Sequence, residues 1–273
     1  MSASGLLLRA KDAVHTERVD RLLDRLGVRS ALAVAYRTAV LATTDTRTLS
    51  MGGATATFHM DTVEEFRDLH GFDERAVAAD LVSRLRPDDV VYDVGANLGI
   101  YTCLAADVVD TVIAFEPHPE NAARLADNVD LNDASVVVSR YALSDAAGVA
   151  ELAITLEGLG SAGHTLLTAA NPDARTVSVE TRRGDDLVAA GEIPPPTVVK
   201  VDAEGAELSV LRGLRETLSR PACRLVYCEV HESRLEIDGA SVTAVRDLLR
   251  ESGFDVSEES VDAGQRFLVG RKE

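Results

Sequence analysis

The chain has 273 residues, 46% of them hydrophobic and 27% charged, which suits one large folded domain with an N-terminal extension and fits an ordinary globular protein rather than a disordered one. Its formal net charge of −17, with Lys11, Lys200 and Lys272 as the only lysines, lacks the basic footprint of a non-specific nucleic-acid binder, so no nucleic-acid partner is expected. No apolar run reaches the roughly 18 residues of a membrane-spanning helix, no secretory leader is visible, and Cys103, Cys223 and Cys228 form no C-x-x-C pair, so a cytoplasmic protein with reduced, buried thiols is expected.

Residues 6–28 carry Leu7, Val14, Leu22 and Leu26 near helical spacing, which predicts an amphipathic helix. This stretch is slightly basic, and it could pack on the main domain, lie on a membrane surface or meet a second copy of the chain in a homo-oligomer. Residues 30–41 are apolar but too short to span a bilayer. Residues 47–60 alternate threonine with apolar residues around Met51-Gly52-Gly53, the pattern of a hairpin. These features define an expected extension over residues 1–72 and a main domain over 73–273. A helical pattern at 73–85 is broken by Pro87-Asp88-Asp89.

Strands and helices then alternate: strand 90–94, helix 99–108, strand 111–116, helix 120–131 and strand 136–140. A polar, Gly-rich section holds two expected strands at 149–155 and 176–181. After Pro194-Pro195-Pro196 come strand 197–201, helix 206–218, strand 224–230 and helix 242–252. Strands at 254–257 and 267–269 close the chain. Such alternation implies an α/β fold with a doubly wound, mostly parallel sheet and helices on both faces. The last two strands have no helix between them, so one antiparallel strand is expected in that sheet.

The first of these strands ends in Asp93-Val94-Gly95-Ala96-Asn97-Leu98-Gly99, a Gly-rich turn at the carboxyl edge where open α/β sheets bind ligands. The second ends in Glu116, where an acid can hold ribose hydroxyls. A dinucleotide site would show G-x-G-x-x-G, but the middle glycine position is Asn97. Asp93 at the start of the loop suits a cationic ligand better than a phosphate. These features favour S-adenosylmethionine over NAD, while a nucleotide-dependent dehydrogenase stays open as an alternative.

The stretch from Val91 to Thr102 resembles the first motif of the FkbM family of methyltransferases. Phe115-Glu116-Pro117-His118-Pro119 with Asn128 and Asn132 is similar to the second, and Ala142-Leu143-Ser144-Asp145 with Gly148 to the third. Lys200-Val201-Asp202-Ala203-Glu204-Gly205-Ala206-Glu207 resembles the fourth, and Glu229-Val230-His231 the segment after it. The resemblance runs from about residue 75 to 270. It departs at Ala203, where the family usually has Val, and in the looser Arg183-Gly184-Asp185. It implies a Rossmann-like class I methyltransferase that methylates a hydroxyl of a sugar, glycolipid or small hydroxylated metabolite. Carried over by position, Asp93, Gly95, Ala96, Asn97, Tyr101 and Thr102 would shape the methionine and ribose side, Glu116 with Pro117 would hold the ribose, and Ala142 and Leu143 would flank the adenine. Asp202 would face the transferring methyl. The acidic, Lys-poor composition also resembles that of proteins from salt-adapted archaea, whose self-repulsion is screened by concentrated salt.

Methyl transfer to an alcohol needs a base or a metal near the acceptor. The ends of the fourth and fifth strands offer Asp202, Glu204, Glu207, Glu229 and His231, with Asp202, Glu204 and His231 the catalytic candidates. The same acids could bind Mg²⁺ through oxygen ligands. For Glu204 and Glu207 the alternative is capping of the helix that starts there. A non-catalytic relative that binds S-adenosylmethionine or a glycan is a further alternative. The acceptor itself is not readable.

Overall fold

A computed structural model describes residues 35–36, 38–154, 165–166, 175–237, 239–260 and 265–272. The amphipathic pattern at 6–28 lies outside them. The expected hairpin is β1 (Thr46–Met51) and β2 (Ala54–His59), paired antiparallel. Its turn places Gly52 at φ 60° and Gly53 at φ 97°, the left-handed region that favours glycine at both centres of a two-residue hairpin turn. Two helices follow, α1 (Val63–His70) and α2 (Arg75–Ser83). Helix α1 was not expected. Its signal was a capping box: Thr62 Oγ1 accepts from Glu65 N at 3.1 Å, and Glu65 Oε2 accepts from Thr62 N at 2.9 Å.

The alternating section forms β3 (Val90–Val94), α3 (Ile100–Ala106), β4 (Thr111–Phe115), α4 (Pro119–Leu131) and β5 (Val136–Ser139). Next come β6 (Ala142–Leu143), β7 (Gly148–Ala153), β8 (Thr165–Leu166), β9 (Thr176–Arg182) and α5 (Gly184–Ala189). The chain then returns through β10 (Val198–Val201), α6 (Glu207–Gly213), α7 (Arg215–Leu218), β11 (Leu225–Glu229), α8 (Glu232–Ile237), α9 (Val242–Glu251), β12 (Asp255–Ser260) and β13 (Arg266–Arg271). The main sheet has seven strands in the order β12-β13-β11-β10-β3-β4-β5. Strands β11, β10, β3, β4 and β5 are parallel, and β13 runs antiparallel to both its neighbours. From β3 the chain moves outward one way to β5 and later outward the other way from β10 to β11. The β3–β10 boundary is therefore the switch point, and its carboxyl edge is the ligand-binding position of such sheets. Strands β6, β9, β7 and β8 form a separate small sheet, a pairing that sequence did not show.

The helix expected over 206–218 is two helices. Asp185 explains the break: its carboxylate accepts from Glu216 N at 3.0 Å and Thr217 N at 2.8 Å, satisfying free N–H groups at the start of α7. The looser Arg183-Gly184-Asp185 segment thus holds a buried capping acid.

Each face of the sheet covers its own apolar cluster, and the strands alternate between them. Val91, Val112, Val198, Leu225 and Tyr227 pack on one side with β2, α3 and α4, and Tyr92, Ile113, Val199, Val226 and Cys228 on the other with α5, α6 and α9. The hairpin belongs to the first cluster and shares a core with residues as distant as Val269. It is also bonded to the domain along its edge: Thr55 N donates to Asp107 Oδ2 at 2.8 Å, Thr57 N to Asn132 Oδ1 at 2.7 Å and His59 N to Asn128 Oδ1 at 2.9 Å. Cys103, Cys223 and Cys228 are free and buried. No helix among the described residues is long and apolar enough to cross a membrane.

Candidate functional site

Strand periodicity explains how charge reaches the carboxyl edge. On β3 the row of Val91 continues with Asp93, on β10 the row of Val198 continues with Lys200, and on β11 the row of Tyr227 continues with Glu229. Two residues further along lie Asp202 and His231. Asp93 and Lys200 are direct partners in the β3–β10 register. Lys200 Nζ lies 3.5 Å from Asp93 Oδ1, 3.3 Å from Asp202 Oδ2 and 3.2 Å from Gly95 O. Burial pulls the Lys200 pKa down, but the charges of Asp202 and Asp93 outweigh it and raise it above the ordinary range.

The turn after β3 is held from several sides. Gly95 N and Ala96 N both donate to Phe115 O, at 2.9 and 3.1 Å. Asn97 N donates to Glu116 Oε2 and His118 N to Glu116 Oε1, both at 2.8 Å. Asn128 Nδ2 reaches Leu98 O at 2.8 Å. Gly95 sits at φ 73°, and a Cβ there would fall 1.8 Å from Asp202 O, so no side chain fits between β3 and β10. Burial pushes the Glu116 carboxyl up to about 7, although the two backbone N–H groups oppose it.

A cavity of about 590 Å³ opens beside this turn. Arg67, Phe72 and Glu74 line it from the α1–α2 segment, Asn97 and Tyr101 from the turn and α3, and Lys200 and Asp202 from β10. Tyr101 donates its hydroxyl to Glu74 Oε2 at 2.8 Å, and Lys200 Nζ lies 5.0 Å from the Tyr101 ring centroid. Burial and the charge of Asp202 raise the Glu74 pKa. Asp202 Oδ1 and Gln265 Oε1 are buried here without hydrogen-bond partners among the described residues, which leaves acceptors for a ligand's donors. The orphan Asp202 oxygen suits an incoming hydroxyl, and Gln265 Oε1 with the bare Gly95 backbone suits a ligand that brings an ammonium group, as S-adenosylmethionine does.

Beyond Asp202 the end of β11 adds a second group. His231 Nδ1 and Glu207 Oε1 lie 2.7 Å apart, while His231 Nε2 faces Glu204 Oε2 at 3.0 Å, Glu229 Oε1 at 3.7 Å and Asp202 Oδ1 at 3.9 Å. Burial lowers the His231 pKa, but the Glu207 hydrogen bond and the surrounding acids overcome it and lift it to about 9. Burial, reinforced by Asp202 and Glu74, pushes Glu229 up to about 8.

Several expected positions fall elsewhere. Asp93 is 1% exposed and does not line the cavity; Thr102 Oγ1 donates to its Oδ2 at 2.6 Å and Lys200 faces its other oxygen, so both Asp93 and Thr102 lie beneath the turn. Ala142 and Leu143 are buried in β6, and Pro117 follows the buried Glu116; none of the four lines this cavity. Glu204 adopts φ 51° and pairs with His231 and Arg234 rather than capping a helix. Glu207 does help close the turn before α6, accepting from Gly205 N at 2.9 Å. Lys200, Glu74, Arg67 and Gln265 were missed as site residues. A lysine inside the apolar run Val198-Val199-Lys200-Val201 was a readable sign of a buried counter-charge. The other three had no local signal.

The family model described as the Methyltransferase FkbM domain matches residues 93–256. The chain is 32% identical over 261 residues to the hexuronic acid methyltransferase AglP of Haloferax volcanii, spanning 94% of this chain and 98% of that protein. It is 33% identical over 203 residues to the 31-O-demethyl-FK506 methyltransferase FkbM of Streptomyces tacrolimicus, spanning 64% and 76%. To the 2-O-methyltransferase NoeI of Sinorhizobium fredii it is 29% identical over 179 residues, spanning 60% and 72%.

Proposed function

The chain belongs to the FkbM family of S-adenosylmethionine-dependent methyltransferases, and from that premise we propose that it methylates a hydroxyl oxygen of a sugar, with a hexuronic acid unit as acceptor. The observation that carries the acceptor class is the end-to-end likeness to a hexuronic acid methyltransferase, which takes in the hairpin and the α1–α2 segment on the cavity wall. Arg67 supports it: this exposed guanidinium lines the cavity and makes no ion pair among the described residues, and a planar fork of donors suits a sugar carboxylate.

When bound, S-adenosylmethionine supplies a methyl group on a sulfonium whose departure leaves a neutral thioether. The chain has to align the acceptor and remove its proton. In this reading Glu116, fixed by Asn97 N and His118 N, accepts the ribose hydroxyls with its remaining lone pairs. Gly95, Ala96, Asn97 and Tyr101 shape the methionine side, Pro117 lies beside Glu116 on the ribose side, and Ala142 and Leu143 flank the adenine. Asp202 holds the acceptor hydroxyl and takes its proton as the new C–O bond forms. Lys200 bridges Asp93 and Asp202 and holds the two carboxylates side by side. The free, buried thiols suit a reducing compartment, and we infer a cytoplasmic enzyme. The family membership sets the dehydrogenase alternative aside.

The test is incubation of the full chain with S-adenosylmethionine and either a hexuronic acid glycoside or the matching neutral hexose, read by mass spectrometry. The expected product carries one methyl on the uronic acid only, and the methyl survives mild alkali, as an ether does and an ester does not. Equal methylation of the hexose would overturn the acceptor class, and no transfer to any sugar would overturn the function.

A further inference from the structure

Asp202, Glu229 and His231 stand at the ends of neighbouring parallel strands, and one ligand atom of each lies within 4.8 Å of the others. The Glu229 side chain is only 5% exposed and makes no hydrogen bond among the described residues; its one ionic contact is His231 Nε2 at 3.7 Å. Asp202 Oδ1, 3.9 Å from the same nitrogen, is likewise buried without a hydrogen-bond partner. Buried carboxylates are ordinarily satisfied by hydrogen bonds, so the orphan Asp202 Oδ1 and the Glu229 side chain, which makes none among the described residues, converging on one imidazole nitrogen point to something between them. Glu207 is fully buried and holds His231 Nδ1 at 2.7 Å. A carboxylate accepting from Nδ1–H fixes the ring so that Nε2, once a metal ion displaces its proton, faces the other acids, the arrangement by which an outer carboxylate orients a metal-ligating histidine. Glu204 Oε2, 3.0 Å from Nε2, is a third acid facing that nitrogen.

We propose that Asp202, Glu229 and His231 bind one divalent transition-metal ion, with Glu207 orienting the imidazole and Glu204 within reach as a further oxygen ligand. One imidazole with two carboxylates suits Mn²⁺, Fe²⁺ or Zn²⁺; Mg²⁺ and Ca²⁺ take oxygen ligands. The use of the ion rests on the methyltransferase reading: beside Asp202 it would hold the acceptor hydroxyl and make its proton easier to lose.

The full chain, stripped by a chelator and dialysed, is titrated with Mn²⁺ alone while the electron paramagnetic resonance of the free ion is followed. Binding of S-adenosylhomocysteine is measured by calorimetry on the same samples. The expected result is one Mn²⁺ per chain, displaced by equimolar Zn²⁺ and not by equimolar Mg²⁺. Glu229→Gln and His231→Gln should weaken Mn²⁺ binding at least tenfold, and Glu207→Gln about 10–100-fold, with S-adenosylhomocysteine affinity kept as the sign of an intact fold. An undiminished free-ion signal with the unaltered chain overturns the proposal without recourse to any variant. Unchanged Mn²⁺ affinity in folded Glu229→Gln and His231→Gln overturns it too, and displacement by equimolar Mg²⁺ overturns the choice of a transition metal. Mn²⁺ binding without S-adenosylhomocysteine binding would support the metal site and reject the methyltransferase reading, so the two fail separately.

Discussion

Asp202 offers one oxygen to Lys200 Nζ at 3.3 Å and keeps a second, buried oxygen without a hydrogen-bond partner among the described residues. Asp202→Asn preserves the shape and removes the charge and the base. We predict nearly unchanged affinity for S-adenosylhomocysteine and a fall in kcat of roughly 10²–10⁴, the span of general acid–base catalysis; full turnover in the variant would remove Asp202 from the mechanism. Glu116 gives a pH dependence. Its carboxyl sits near 7 in the free protein because it is buried, and only the ionised form accepts freely from ribose hydroxyls. A ligand that binds the ionised form must displace a proton at pH 6 and almost none at pH 8. Affinity for S-adenosylhomocysteine should therefore rise about tenfold between those pH values. In Glu116→Gln the rise should vanish and the affinity at pH 8 should fall by about 1.5–3 kcal/mol, as calorimetry would read. A flat profile in the unaltered protein would place the ribose elsewhere. Sequence marked Asp93 through its motif but could not show that its carboxylate faces Thr102 and Lys200, the latter a partner 107 positions away on the next strand.

At the scale of elements, β2 is the instructive one. It pairs with β1 on one side, and its outward N–H groups at Thr55, Thr57 and His59 are taken by Asp107, Asn132 and Asn128 instead of by another strand. Side chains of the α3–α4 layer thus close a strand edge that would otherwise stay open. Asn132 also donates to Thr57 O at 2.7 Å, copying both halves of a strand partner. Asn132→Ala should cost about 1–3 kcal/mol by leaving those groups unsatisfied and lower Tm by several degrees in a thermal-shift assay; an unchanged Tm would mean that water replaces the side chain. The hairpin, the parallel strands and the final antiparallel strand were legible because each rests on local periodicity or turn chemistry. The break at Leu214, the small β6-β9-β7-β8 sheet and the docking of β2 were not, because Asp185 and the asparagines act across long sequence separations.

For the whole molecule, the boundary expected at residues 72–73 divides the sequence but not the core. Phe58 and Leu69 on one side of it pack in the same cluster as Leu104 and Leu125 on the other. The charge of −17 is likewise a property of the whole. The Debye length is about 30 Å in dilute buffer and about 3 Å at 1 M salt, so repulsion spans the domain in one and is confined to neighbours in the other. Tm should rise from dilute buffer to about 1 M KCl, even though surface ion pairs such as Arg215–Glu251 weaken. A Tm that stays level or falls would argue against salt adaptation and leave the enzymatic reading untouched.

The row of charges at the carboxyl edge also bears on how the sheet finds its pairing. Strands rich in valine match one another almost equally well after a slip of one residue, yet a slip exchanges their two faces. Here it would carry Asp93 or Lys200 off its partner and into the layer that holds Val199, Val201 and Leu211. A lone charge in that layer is far costlier than the apolar contacts a slipped strand would keep. The groups that prepare the chemistry therefore also proofread the register. Replacing the pair together, Asp93→Leu with Lys200→Leu, removes the check while filling the space. Equilibrium stability should fall modestly, because Thr102, Gly95 O and Asp202 lose their partners, while the recovery of native monomer after dilution from denaturant should drop by more than a control such as Thr102→Val of similar stability. Equal recovery by both proteins would show that the strands align without help from their charges.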